Sequence, residues 1–341
     1  MPHIAAIIPE AKAPFEFKQV DTSQPGPREL LIKNELISLL PINAKVAKAA
    51  ILPVPYPAIL GNSYGGTVVA VGSEVTNFQV GDRVAAAKGA TPNDNKYGVF
   101  QEYVVSRDDT AGKITGESEF NAAVNLIGNL ATVVSIVNVT LGLDRPEPTR
   151  KVPAKGKKIL VYGGTSSFGS LAVQYLTQAG YDVVTTTSPK HKDFVAKLGA
   201  IKIIDHTEGH DVVLKSLVEQ GPYDSVIDSI SLPDTVQITA GVLTAQGGGT
   251  VLALLPAFGP ETLPEGVTRD YRSWSFALAE EKNQELLRWT YNTYLPQAVA
   301  EGRTIPLATK EFSGGLRGLP DAIDFLFKGV SATKVVVKFD K

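Results

Sequence analysis

Apolar positions change period twice between residues 158 and 192 (KILVYGGTSSFGSLAVQYLTQAGYDVVTTTSPKHK). The apolar run 159–162 predicts a strand. A glycine-rich turn follows at 163–169. Phe168, Leu171, Ala172, Tyr175, Leu176 and Ala179 then recur at helical spacing until Gly180 stops them, and a second apolar strand begins at 183–187. Further apolar runs at 202–204, 225–227 and 250–254 are separated mostly by helical stretches. Alternation of this kind predicts a parallel, doubly wound sheet. The first 125 residues read differently. Short strand signals at 4–8, 30–33, 66–71 and 83–87 are joined by turns at Val71-Gly72 and Val80-Gly81-Asp82, and helical patterns are scarce. A helix is predicted over 122–141, ended by Gly142, and a proline-rich charged loop over 143–157. An amphipathic helix at 279–301, a helix at 319–327 and a last strand at 334–339 close the chain. The fold class is α/β, with a strand-rich domain over 1–125, a parallel-sheet domain over 126–287 and a return to the first domain over 288–341.

Composition narrows the partners. The 341 residues suit about two domains, and a net charge of -2 gives no sign of nucleic acid or a membrane surface. The chain has no cysteine, which excludes disulfides and thiolate metal sites. The first residues, MPHIAAIIPEAKAPFEF, lack a basic flank and a long apolar core, and no apolar run approaches the roughly 20 residues that span a bilayer. A cytoplasmic protein is the expectation.

The candidate chemistry sits in the turn after 159–162. A strand, a glycine turn, a helix and a second strand make the unit that holds a dinucleotide pyrophosphate at a helix N-terminus. Gly163 and Gly164-Thr165-Ser166-Ser167-Phe168-Gly169 carry it, with Ser166 in place of the usual middle glycine. Gly164 permits the tight turn and Gly169 the close approach of helix to strand. The end of the second strand selects the cofactor. Binders of the non-phosphorylated form place an acid there for the ribose hydroxyl, whereas this chain has Thr187, Ser188, Lys190 and Lys192, with no acid before Asp193. Hydroxyls and ammonium groups suit a 2′-phosphate, so NADP(H) is the expected cofactor. A solvated basic helix start is the plainer reading of the same lysines. Asp228, ending the fourth strand, is placed either near the cofactor or as a helix cap.

Three further stretches carry a family likeness: residues 61–72 (GNSYGGTVVAVG), 78–84 (FQVGDRV) and 98–103 (GVFQEY). With the nucleotide unit and the closing strand, they resemble the medium-chain dehydrogenase/reductase superfamily over nearly the whole chain. The resemblance implies a GroES-like catalytic domain and a Rossmann domain. Its zinc-dependent members carry Gly-His-Glu where this chain has Gly61-Asn62-Ser63, and a Cys-His-x-Asp-like stretch where it has Leu40-Pro41-Ile42-Asn43. A family-type zinc site is therefore not expected, and no metal is assigned. Residues 41–45, 61–66 and 160–164 are most similar to quinone and enoyl reductases, in particular the trans-acting enoyl reductases of fungal secondary metabolism. That likeness implies a functional Lys45 and, near the nicotinamide, Thr132. It puts Leu254 and Leu255 beside the nicotinamide and His206 near the adenine. Tyr64 and Tyr56 are further candidates for proton delivery. An exposed lysine, a rigid loop around Tyr56 and a surface histidine are the bland readings of the same residues.

The implied reaction is NADPH-dependent reduction of an activated C=C bond in an enone, quinone or enoyl thioester, on a small-molecule or carrier-bound substrate. Two readings stay open beside it: a zinc-free carbonyl reductase, and a non-catalytic NADPH-binding sensor or partner subunit. A monomer is possible on this pattern, as is a homodimer through an edge strand at 271–276.

Overall fold

The computed structural model describes residues 2–89, 91, 93–147 and 152–340. Part of the predicted loop 143–157, residues 148–151, lies outside the described residues. Along the chain run β1 (Pro2–Ile8), β2 (Glu16–Asp21), β3 (Glu29–Leu39), α1 (Pro41–Ala49), β4 (Ala58–Ile59), β5 (Ser63–Val71), β6 (Arg83–Ala87), β7 (Tyr103–Arg107), β8 (Ala111–Lys113) and α2 (Glu117–Val134). There follow β9 (Lys158–Tyr162), α3 (Gly169–Gln178), β10 (Asp182–Thr187), α4 (Lys192–Ala196), β11 (Lys202–Asp205), α5 (His210–Gln220), β12 (Ser225–Asp228), α6 (Pro233–Ala245), β13 (Gly249–Ala253), β14 (Val267–Tyr271), β15 (Ala308–Phe312) and β16 (Thr333–Lys338). Two compact units result: Met1–Ala131 with Leu278–Lys341, and Thr132–Ala277.

The first unit is built on β3. This strand pairs antiparallel with β5, β7 and β16, and the sheet continues in the order β15-β16-β3-β5-β6-β8. β2, β1 and β4 form a smaller sheet. Ile32, Ile37 and Leu39 of β3 share a core with Val68, Val84, Phe100, Leu319, Ile323, Val335 and Val337. Two glycines of β5 show why its first half escapes the strand pattern. A Cβ on Gly65 would meet Phe120 and Val124 of α2 at 2.3–2.7 Å, and one on Gly66 would meet the Lys33 carbonyl oxygen at 1.9 Å. The strand thus begins at Ser63, three residues before the apolar run that predicts it.

α2 also starts earlier than its apolar pattern. Glu117 and Glu119 occupy its first turn, where carboxylates suit the positive end of the helix dipole. Its last turns widen into a π segment, Ser135–Thr140, and Gly142 at φ +61° ends the run. Glu117–Thr140 is long and apolar enough to cross a membrane by length and composition alone, but 61% of its apolar window is buried inside the protein, the signature of a core helix. The predicted helix 279–301 is divided into Gln284–Arg288, a π segment Trp289–Tyr294, and Leu295–Ala300.

The second unit is a six-stranded parallel sheet in the order β11-β10-β9-β12-β13-β14. Numbered within the unit this is 3-2-1-4-5-6, the order of a dinucleotide-binding domain. Leu160, Val184, Ile204, Val226 and Val251 stack in its core. The edge strand expected at 271–276 is instead Val267–Tyr271. The chain leaves the ladder there because Trp274 turns inward, its indole N–H donating to the Ala253 carbonyl at 2.8 Å, and Ser275–Leu278 is helical.

Two predictions follow from packing. Gly66→Ala forces a methyl group into the Lys33 carbonyl and is expected to destabilise the fold by about 3 kcal/mol in denaturant titration. Lys334 of β16 is buried with no partner for its ammonium among the described residues, and burial lowers it from 10.5 to about 7. A folded value below the unfolded one means that unfolding takes up a proton in this window, so stability rises with pH from about 7 toward 10.5 and falls as pH drops. Lys334→Met is expected to stabilise the protein at pH 7 by on the order of 2–4 kcal/mol, with the gain shrinking at pH 10 in the same titration.

Candidate functional site

The glycine turn is held together by serine and threonine hydroxyls. Gly163 sits at φ +90°, and a Cβ there would strike Ser229 and Ile230 at 2.6–2.8 Å. Its N–H donates to Thr186 Oγ1 at 2.9 Å, and that of Gly164 to the Thr186 carbonyl at 2.9 Å. A Cβ on Gly164 would lie 2.4 Å from Thr185 Oγ1, and one on Gly169 2.2 Å from the Gly163 carbonyl oxygen. Ser166 takes the Gly169 N–H at 2.8 Å and donates to Ser229 Oγ at 2.9 Å; Ser229 in turn donates to the Tyr162 carbonyl at 2.6 Å. Ser166 is thus an organising residue of the turn. Ser229 has no sequence signature, because a serine one residue past a strand belongs to no motif. The turn aims the N-terminal end of α3 at whatever lies over Gly163–Gly169, the arrangement that receives a pyrophosphate.

Thr187, Ser188 and Lys192 line one cavity of about 380 Å³ at the edge of the sheet, together with Asp205 and Glu208. Lys190 and His206 are exposed and stand outside its lining. Thr187 is buried, and its hydroxyl has no partner among the described residues. Asp205 accepts from the Thr207 N–H and hydroxyl, which hold its carboxyl below the usual range, helped by the charges of His206 and Lys192.

Asp228 is fully buried and accepts from the Ile230 and Ser231 N–H groups at 2.9 and 2.8 Å and from Thr235 Oγ1 at 2.7 Å. Burial raises its pKa against these bonds. All of these partners belong to the loop before α6 and to its first turn, so Asp228 ties that loop to the end of β12. The loop reaches the next strand through Ser231, whose hydroxyl accepts the Leu254 N–H at 2.7 Å. The Leu255 carbonyl accepts from Arg269 at 2.6 Å. Both leucines are partly buried.

In the first unit, Lys45 lies on α1, partly buried, without an ion pair or hydrogen bond among the described residues, and burial lowers its pKa. Tyr56 packs partly against the core. Thr132 is a partly buried residue in the last turn of α2. Tyr64 requires correction as a proton-delivery candidate. It is fully buried in the core, and burial pushes its phenol far above the ordinary value of 10. A phenol sealed from solvent and weakened as an acid is a packing residue.

The positions where zinc-dependent relatives carry their donors do not fit a metal. Leu40 offers only hydrocarbon. The Leu40 N–H donates to Asn43 Oδ1 at 2.8 Å, and Asn43 Nδ2 donates to Asn62 Oδ1 at 2.5 Å. Two neutral amides bound to each other replace charged or imidazole ligands. Among the described residues there is no group of three or more His, Asp or Glu that could hold a metal ion.

Comparison with known proteins agrees with this architecture. Residues 26–116 match the alcohol dehydrogenase GroES-like domain, and residues 168–275 match the zinc-binding dehydrogenase domain. The zinc-binding alcohol dehydrogenase domain-containing protein cipB of Emericella nidulans is 32% identical, over 98% of this chain and 97% of its own. The trans-enoyl reductase himH of Aspergillus japonicus is 32% identical, over 92% of this chain and 90% of its own. In fold, the quinone oxidoreductase of Pseudomonas syringae superposes with a TM-score of 0.75 at 22% identity, over 98% of this chain and 99% of its own. A GroES-like sheet, a 3-2-1-4-5-6 parallel sheet and full-length likeness together place it: the chain belongs to the medium-chain dehydrogenase/reductase superfamily, as an oxidoreductase.

Proposed function

We propose that this chain is a metal-independent, NADPH-dependent reductase of an activated C=C bond in an enone, quinone or enoyl thioester. The observation that carries the reading is the Leu40–Asn43–Asn62 arrangement, which replaces a metal's donors with a hydrocarbon and a hydrogen-bonded amide pair. Reduction of a simple ketone needs strong polarisation of its oxygen, the task a Lewis acid performs. A conjugated acceptor needs less, because the charge spreads from the β-carbon to the carbonyl oxygen as it forms. The similarity to a trans-enoyl reductase supports the same choice.

The residues that would hold the cofactor are Gly163–Gly169 for the pyrophosphate and Thr187, Ser188 and Lys192 for a 2′-phosphate. NADPH when bound supplies a hydride. Lys45 is assigned to the substrate: its ammonium stabilises the enolate oxygen or serves as a link in delivering the proton that the α-carbon takes up. A partly buried ammonium suits both tasks, since desolvation makes it a better acid than a lysine in water.

Three outcomes are expected. NADPH oxidation proceeds with a cyclic enone and not with the matching saturated ketone; turnover of the ketone alone would sink the C=C assignment. Lys45→Ala lowers kcat by roughly a hundredfold, and the wild-type rate falls at alkaline pH, with its midpoint below the ordinary lysine value, as the ammonium is lost; an unchanged rate in the variant would remove Lys45 from the mechanism. Lys192→Ala weakens NADPH about tenfold and leaves NADH unchanged in a fluorescence titration; equal affinity for the two cofactors in the wild type would overturn the phosphate reading.

A further inference from the structure

The amide pair that takes the place of metal ligands also fixes a direction. The Leu40 N–H can only donate, so Asn43 must present its oxygen to it. Asn43 Nδ2 then donates to Asn62, which must present its own oxygen. The orientation of both amides follows from a backbone donor at one end of the chain of bonds. The Asn62 amino group is left pointing away from Asn43, with no partner among the described residues.

A second donor stands beside it. In the β5–β6 ladder Ser63 faces Ala87, and the next pair outward is closed by the Lys88 N–H donating to the Asn62 carbonyl at 2.7 Å. Asn62 and Lys88 thus stand opposite each other just past the ends of β5 and β6, and opposite residues of an antiparallel pair project to the same face. Lys88 is partly buried, and burial lowers its pKa against the field of Asp94. Asp94 accepts the Lys96 N–H at 2.9 Å with one oxygen and still lends Lys88 its field, while Lys88 makes no ion pair or hydrogen bond among the described residues. One face therefore presents an ammonium, in the field of Asp94, and an amide N–H₂, neither with a hydrogen-bond partner among the described residues. A desolvated ammonium without a partner costs stability unless a ligand completes it.

We propose that Lys88 and Asn62 bind a monoanionic oxygen group on the substrate, a carboxylate carried by the same molecule as the activated double bond. The assignment rests on the reductase reading above and names its substrate class. One oxygen of the carboxylate takes the ammonium and the other the amide N–H, the pairing that a neutral ester or ketone satisfies poorly. Asn43 acts through Asn62 as a positioning residue.

The test compares 4-oxopent-2-enoate with its methyl ester, the same double bond with and without the charge, in the NADPH-loaded protein. The acid is expected to have the lower KM by roughly ten- to hundredfold. Lys88→Met should erase that preference by raising KM for the acid, with a much smaller change for the ester, and Lys88→Arg should keep most of it. Asn43→Asp replaces the donor that faces Asn62, so the Asn62 amide turns over and offers its carbonyl outward; KM should rise several-fold more for the acid than for the ester, and the carboxylate buried at 43 should lower the thermal midpoint. Equal handling of acid and ester by the wild type, or equal losses on both in Lys88→Met, overturns the proposal. If neither compound is reduced, calorimetry separates the two readings: saturable binding of the acid that Lys88→Met abolishes upholds the anion site and sinks the reductase assignment, and no binding of the acid sinks the anion site.

Discussion

The α-carbon of Gly169 lies so close to the carbonyl of Gly163 that no side chain fits between them. That approach sets how far α3 can sit from the end of β9, and β9 is the strand on which both halves of the parallel sheet hang, paired with β10 on one side and β12 on the other. The turn cannot relax without moving α3 away from β9 and β10, the strands it packs on. Ser166 and Ser229 take up the polar groups that so tight a turn would otherwise strand, since an unpaired buried donor or acceptor costs more than a made bond contributes. Binding geometry and fold stability are thus one constraint at this point.

The first unit has a different dependence. β3 is flanked by β5 and by both β7 and β16 along its length, and it is buried on both faces for much of that length. Its C-terminal end delivers Leu40 and, through α1, Asn43. What reads as a list of lost metal ligands in the sequence is in the structure a made connection between two segments, 40–43 and 62. A neutral amide link needs no compensating charge, and it leaves a defined donor facing outward, which a pair of apolar residues would not.

Legibility followed locality. The unit 158–192 could be read because its strand, turn and helix each bury their own apolar stripe, so the period of the pattern is the period of the element. β15 (ATKEF) and β2 (EFKQVD) could not, because they are largely exposed edge strands whose partners, β16 and β1, specify them. The first turn of α2 was missed for the same reason in reverse: Glu117 and Glu119 serve the helix dipole and not the core. Of the candidate site, the glycines were visible because only glycine fits there. Ser229 was not, since its role depends on Ser166 and Tyr162, far away in sequence. Tyr64 is a candidate in the sequence because a phenol can donate a proton, and its burial in the core depends on strands and helices that the local sequence does not name.

The π segment at Ser135–Thr140 changes how α2 accommodates length. A helix with one residue more than its turns require shifts the face it presents at that point, and the five consecutive positions Val133, Val134, Ser135, Ile136 and Val137 are all buried, more than one stripe could hold. The surplus residue is slack stored inside the core. Where most buried helices transmit any insertion or deletion along their full length, this one carries a joint at which a change of one residue is absorbed locally, leaving the elements on either side in register.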